Sequence, residues 1–324
     1  MGKPKVSVIT AVYNGEKYLA ETIESILNQT FQNFEYIIIN DGSKDSSLKI
    51  ITELMKKDKR IVLINNKKNI GSALSRNLGL KKAQGKYIAI LDHDDISLPE
   101  RLEKEYNFLE KNHDIFLVGS GAINIDKNGK KISRDKPINN LQKIINILPT
   151  KCVFHHPSVM YRNNENLFYR DKILYADDYD FYLRLLTDNK KLININELLI
   201  HYRIHEKGSS FSNAAKLSLF GEKAREFYHQ RLKYGKDDYD KFDPNEILNF
   251  DVDKSIDKVA LEKEIRSSFK VNDFKRVRLF YKKYFKHHGI ILNKIFIYYV
   301  LSFTGEKFIE LLRKVKFTFR SLKI

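Results

Sequence analysis

Tyr87-Ile88-Ala89-Ile90-Leu91-Asp92-His93-Asp94-Asp95 is the stretch that decides the fold of this chain. Five residues of strand character run straight into three carboxylates within four positions. Carboxylates gathered at a strand end repel one another and lose hydration, so stability alone gives little reason to place them there. A hard divalent cation, Mg²⁺ or Mn²⁺, relieves the repulsion by taking oxygen ligands and sharing them with substrate phosphates. The plain alternative is a helix N-cap, with Asp95 or Ser97 capping the segment that begins Leu98-Pro99-Glu100. A cap needs one carboxylate, and three are present. The stretch reads as a buried strand that ends at a metal and diphosphate site.

Working outward from it, strand and helix signals alternate. Lys5 to Val12, Phe34 to Ile39 and Ile61 to Ile64 are further near-continuous apolar runs. Between them, Tyr18-Leu19-Ile23-Ile26-Leu27, Leu48-Ile51-Leu54-Met55 and the segment Ile70 to Ala83 carry helical spacing. Solid apolar strands separated by amphipathic helices indicate an α/β fold, a mostly parallel, Rossmann-like sheet flanked by helices. In such sheets the ligand lies outside the carboxyl ends of the strands, where Asp41 and Asp92 both fall. From about Ile115 the period weakens. Asp126-Lys127-Asn128-Gly129 reads as a hairpin turn, short strands are expected near Ser158 to Tyr161 and Leu192 to Tyr202, and Asp178 to Leu186 reads as a helix. Beyond Ser212 the pattern is helical. The division expected is a catalytic domain over 1–212 and a basic helical extension over 213–324.

Three further segments carry chemistry at strand ends. Val6 to Gly15 closes a strand in a polar turn whose backbone N–H groups suit a base or phosphate, with Tyr13 free to stack on a ring. An ordinary strand-to-helix turn explains the same residues when the segment stands alone. Asn40-Asp41-Gly42-Ser43 follows the second strand, and Asp41 suits a pyrimidine N–H or a ribose hydroxyl, with a helix cap by Asp45 or Ser46 as the plain reading. Asn69-Ile70-Gly71 leads to Ser75-Arg76-Asn77, where the Arg76 guanidinium suits a diphosphate. A surface arginine is the bland alternative.

Thr10-Ala11-Val12-Tyr13-Asn14, Asn40-Asp41-Gly42-Ser43, Asn69-x-Gly71 with Arg76-Asn77, and Asp92-His93-Asp94-Asp95 resemble family 2 glycosyltransferases in order and spacing, over roughly residues 5 to 210. The resemblance implies a GT-A-type fold and a nucleoside-diphosphate sugar bound through an Asp-x-Asp motif. It implies that Thr10, Ala11, Tyr13, Asn69, Gly71 and Arg76 lie in the nucleotide-sugar site. Asp41 would meet the base, Asp92 the ribose or metal, and Asp94 the metal. Such enzymes also tend to carry a downstream Glu-Asp pair whose Asp is the catalytic base. Here the pair is Asp177-Asp178, with Asp178 aligned to the base and Asp177 beside the donor. An acidic first helical turn favoured by the macrodipole explains Asp177 and Asp180 equally well. His155-His156-Pro157-Ser158 and Tyr202-Arg203-Ile204-His205 look like family segments near acceptor and diphosphate, and His205 takes a metal or phosphate role. The activity implied is an inverting transfer from a donor, taken as UDP-linked, to a hydroxyl of a glycan or lipid-linked glycan acceptor in surface polysaccharide assembly.

Composition bounds the rest. The chain has 324 residues, 42% of them hydrophobic, and a single cysteine, Cys152, so no intrachain disulfide forms. Met1-Gly2-Lys3-Pro4 runs straight into a strand, and a cytoplasmic protein is expected. The net charge is +17, and from Lys270 to Ile324 there are 14 lysines and arginines against 3 acidic residues. Phe308, Leu311, Leu312, Val315, Phe319 and Leu322 recur at helical spacing among these cations, which suits a helix lying peripherally on an anionic membrane. Packing on the catalytic domain, or on a second copy in a homo-oligomer, is the structural alternative. A sugar-phosphate nucleotidyltransferase would share the sheet and the carboxylates but would have no use for Asp177-Asp178. A basic nucleic-acid-binding protein is disfavoured because no recognised module is present and the acidic cluster lies at the expected ligand edge.

Overall fold

A computed structural model of the chain describes residues 2–164, 166–205, 208, 214–249, 258–270, 272–289, 294–305 and 308–309. The amino-terminal elements alternate as β1 (Val6–Val12), α1 (Leu19–Leu27), β2 (Phe34–Asn40), α2 (Ser47–Lys57), β3 (Ile61–Asn65), α3 (Ser72–Lys82) and β4 (Tyr87–Ile90). They continue as β5 (Ile96–Ser97), α4 (Arg101–Lys111), β6 (Ile115–Ile125), β7 (Lys131–Asp135), α5 (Leu141–Ile147), β8 (Met160–Arg162), α6 (Asp177–Thr187) and β9 (Lys191–Arg203). The sheet order is β3-β2-β1-β4-β8-β6-β9-β5, with β7 paired to β6. It is parallel from β3 to β4, whereas β8 pairs antiparallel with β4 and with β6, and β5 pairs antiparallel with β9. The parallel half is the part whose strands read as solid apolar runs, because helices cover both of its faces.

Register places the site. Val12 lies opposite Asn40, Asn40 opposite Asn65, and Ile9 opposite Ile90. The residues that follow β1, β2, β3 and β4 therefore emerge at one edge. Beneath that edge Val8, Val12, Leu19, Ile23, Ile26, Tyr36, Ile38, Tyr87 and Ala89 form a fully buried core. Leu19, Ile23 and Ile26 are one face of α1, as their spacing predicts. The hairpin at 126–129 closes with Gly129 N–H donating to the Asp126 carbonyl at 3.0 Å.

The residues divide into two compact units. The first comprises Met1–Asn124, Arg134–Asp171 and Asp177–Arg203, and the second Ile125–Ser133, Lys172–Ala176 and Ile204–Ile324. Within the second lie α7 (Ala214–Tyr234), α8 (Asn245–Leu248), α9 (Lys258–Lys270), α10 (Phe274–His288) and α11 (Lys294–Leu301). Leu261, Ile265, Val277, Phe280, Tyr284 and Ile295 bury against one another there. The Phe269–Tyr298 and Tyr281–Tyr299 rings stack at 4.3 Å. No helix among the described residues is long and apolar enough to cross a membrane. Leu311 to Leu322, the core of the amphipathic pattern, lie outside the described residues.

Candidate active site

Two loops at the ends of β1 and β2 interlock. Asn14 N–H donates to Ser43 Oγ, Gly15 N–H to Ser47 Oγ and Glu16 N–H to Asp45 Oδ2, while Lys44 N–H returns to Asn14 Oδ1 and Ser46 N–H to Glu16 Oε2. The polar residues of both turns thus fix each other, and Tyr13 stands 45% exposed beside them. A Cβ on Gly15 would lie 2.6 Å from the His93 ring, so glycine lets the carboxylate loop approach. Of the two expected capping residues, only Asp45 bonds the start of α2 through its side chain. Asp45 Oδ1 accepts from Ser47 N–H, and Ser46 makes no side-chain cap bond.

Asp41 is buried, and both carboxylate oxygens hold the loop after β3. They accept from Asn66 Nδ2 at 2.9 Å, Ile70 N–H at 3.0 Å and Gly71 N–H at 2.9 Å. Gly42 sits at φ +70, and a Cβ there would lie 2.5 Å from the Lys68 carbonyl carbon, so the two loops touch through backbone. Asn69 is exposed and accepts from Gly71 N–H, whose backbone opens α3. The Thr10 hydroxyl is fully buried, donating to the Leu91 carbonyl at 2.8 Å and meeting Tyr36 OH, while Ala11 beside it is partly exposed. The Thr10 side chain ties β1 to the end of β4.

Arg76 and the acid pair converge from elements far apart in sequence. Arg76 Nη1 donates to Asp177 Oδ2 at 2.7 Å and Nη2 to Asp92 Oδ1 at 3.0 Å, with the guanidinium over the Tyr169 ring. Burial opposes its charge, but Asp177 and Asp92 outweigh burial and hold it cationic. The arginine expected at a diphosphate thus links α3 to the first turn of α6 and to the Asp92 carboxylate. Burial raises the Asp177 carboxyl, and Arg76 pulls it back. Asp178, half-buried, has its carboxyl pushed up to about 7, first by burial and then by the neighbouring Asp177 charge. Asp180 differs from both. It is fully buried and paired with Arg184 Nε at 3.0 Å, which is a structural role.

The carboxylate loop is held from two sides. Thr22 Oγ1 donates to the His93 and Asp95 carbonyls at 3.0 and 2.8 Å. From β9, Arg203 N–H donates to Asp95 Oδ1 at 2.7 Å and Arg203 Nε to the Asp94 carbonyl at 2.8 Å. Asp95 is buried, and its Oδ2 has no hydrogen-bond partner among the described residues. Burial, then Asp94 and Asp92, raise its carboxyl well above the usual range. The helix-cap reading does not hold, since α4 begins only at Arg101 and Ser97 lies in β5. Among the described residues no three His, Cys, Asp or Glu side chains gather into a metal cage. Asp92 and Asp94 are partly exposed oxygen donors beside a carboxylate that feels their repulsion. That donor set fits Mg²⁺ or Mn²⁺ held by one or two carboxylates and completed by substrate phosphates.

The histidines separate. His156 is buried between Tyr182 OH at 2.7 Å and Tyr169 OH at 3.2 Å, and burial followed by Arg76 keeps it neutral, a structural histidine. His155 packs on the Tyr202 ring. His205 follows β9 in the second unit and is partly exposed. Sequence reasoning passed over Thr22 and Tyr169 and gave Arg203 no role of its own. Arg203 lay inside a segment already singled out, but no local pattern reveals a bond to a residue 108 positions away.

Residues 7–211 match the family described as Glycosyl transferase family 2. The chain belongs to that family. It is a glycosyltransferase of GT-A fold, with the family's segments gathered at one sheet edge. Among relatives, an uncharacterized glycosyltransferase of Methanocaldococcus jannaschii, MJ1057, is 41% identical over 225 residues, 68% of this chain and 78% of that one. The O-antigen biosynthesis glycosyltransferase WbnJ of Escherichia coli is 37% identical over 235 residues, 70% of this chain and 90% of that one. Two solved structures share the fold at low identity. S. aureus TarS 1-349 in complex with UDP-GlcNAc has a TM-score of 0.55 at 17% identity, covering 88% of this chain and 89% of that one. Mannosyltransferase PcManGT of Pyrobaculum calidifontis, in complex with GDP-Man and Mn2+, has a TM-score of 0.54 at 13% identity, covering 98% and 87%.

Proposed function

We propose that this glycosyltransferase catalyses an inverting transfer from a nucleoside-diphosphate sugar, UDP-linked, to a hydroxyl of a glycan or lipid-linked glycan in surface polysaccharide assembly. The observation that carries the reading is Asp178, a half-buried carboxyl raised to about 7 beside Asp177, which is tied through Arg76 to Asp92 at the sheet edge. A base near neutral pH can take the proton of an acceptor hydroxyl as it attacks the anomeric carbon. Inversion is what the family resemblance implies, and a base that activates the acceptor hydroxyl for direct displacement fits it. Tyr13 and the interlocked turns beside Asp41 suit a base and ribose, with Asp41 acting through the 66–71 loop that it organises. Asp92 and Asp94 would hold a divalent cation, and such an ion supplies charge stabilisation to a departing diphosphate.

The neighbours support the donor class, since one was solved with UDP-GlcNAc and another with GDP-Man and Mn2+. The E. coli relative is named for O-antigen biosynthesis, which supports the pathway. In this reading residues 1–212 are the catalytic domain and 213–324 an accessory region that meets an anionic membrane surface from the cytoplasmic side. In α10, Leu279 and Phe285 stand exposed among Lys275, Lys282 and Lys286, a combination that suits an interfacial helix. The deciding experiment is calorimetry of UDP with Mn²⁺. Asp94→Ala should lose most of the affinity, and equal binding by the variant, or by the native protein in EDTA, refutes the cation role.

A further inference from the structure

We propose that Arg203 is a positioning residue that sets the Asp94 carboxylate for cation and diphosphate binding. The inference rests on the reading of Asp94 as a cation ligand. Asp94 lies on the short turn between β4 and β5. Pairing of β5 with the end of β9, Ile96 opposite His201 and Ser97 opposite Ile200, brings Arg203 alongside that turn.

Arg203 then grips the turn twice. Its backbone N–H fixes Asp95 through Oδ1, and its Nε fixes the peptide of Asp94 through the carbonyl. The rest of the guanidinium is braced by Glu21 Oε2 and lies 4.4 Å from the centre of the Tyr18 ring, both from the α1 segment. The Arg203 side chain is 3% exposed, so its geometry is imposed by packing. A planar fork can serve the Asp94 carbonyl, Glu21 and the ring together, whereas an ammonium cannot. A carboxylate whose own peptide is held in this way presents its oxygens at a set position, and residues that orient metal ligands typically tune metal affinity by 10- to 100-fold.

A purely structural arginine would stabilise the fold without favouring metal-dependent binding, and this difference defines the test. UDP affinity is measured by calorimetry with Mn²⁺ and in EDTA, alongside thermal melting, for the native protein, Arg203→Lys and Glu21→Gln. The expected result is a loss of roughly 10- to 100-fold in Mn²⁺-dependent affinity for Arg203→Lys, with affinity in EDTA unchanged. Glu21→Gln, which keeps the arginine and removes only the carboxylate charge that braces it, should lose severalfold in the same direction and remains informative if Arg203→Lys does not fold. Native affinity in both variants, or an equal loss with and without Mn²⁺, overturns the proposal while leaving the cation reading intact. A native protein that binds UDP equally well in EDTA overturns both.

Discussion

In the proposed reaction Asp178 concentrates the chemistry at the residue scale. Burial and the adjacent Asp177 charge disfavour its ionised form, which makes it a stronger base than a solvated aspartate. As a base it must be ionised, so kcat/KM should rise tenfold per pH unit up to about 7 and level off above it. Asp178→Asn should lower turnover on the order of 10²- to 10⁴-fold with little change in donor affinity. Asp177→Asn should lose less turnover and move the acid limb to lower pH, because the second contributor to the raised carboxyl is gone. Single-turnover rates across pH for both variants check this, and a dead Asp177→Asn beside a near-normal Asp178→Asn would exchange their roles. Stability runs the other way. The folded carboxyl lies above its ordinary 3.8, so its contribution is present below that value and lost as pH rises through about 7. Asp178→Asn should therefore melt higher than the native protein at pH 8, with the difference gone near pH 4.

At the scale of elements, the site depends on ties between pieces that do not follow one another in sequence. One lies beneath it in α4. Arg101 and Glu105 form a fully buried pair at 3.0 Å, and Arg101 Nη2 also donates to the Ile90 carbonyl at 2.9 Å and the Val159 carbonyl at 3.2 Å. The end of β4, immediately before the carboxylate turn, is thus held to the segment entering β8. Burial pushes Glu105 up to about 7 against the pull of Arg101. Removing the arginine strands a carboxyl and leaves two carbonyls without this donor. Arg101→Met should cost about 3–5 kcal/mol in urea unfolding at pH 8. A cost under about 1 kcal/mol would mean that solvent replaces the arginine at no penalty.

For the whole molecule, charge is the dominant property. Of the net +17, +11 falls between Lys270 and Ile324, while the carboxylates of the site lie in the first unit. In the proposed reading the first unit takes a small anionic donor and the basic segment meets an anionic surface. Truncation near Ser302 should abolish co-sedimentation with anionic liposomes at low salt, where screening is least, and leave donor hydrolysis intact. A full-length protein that ignores such liposomes would point to packing or self-association for the tail.

The alternation of β1 to β4 with their helices, and the carboxylates at strand ends, were legible because period and polarity are local properties of a chain. The family motifs were legible for the same reason, each being a run of a few residues around one turn. Only the tertiary structure decided what those residues touch. Arg76 meets Asp177 across 101 positions and Arg203 meets Asp95 across 108. Thr10 bonds the end of β4, and Asp41 bonds the loop beside it. The raised carboxyl of Asp178 belongs to this second group, because desolvation and the charges that set it arise only when distant segments close around one point.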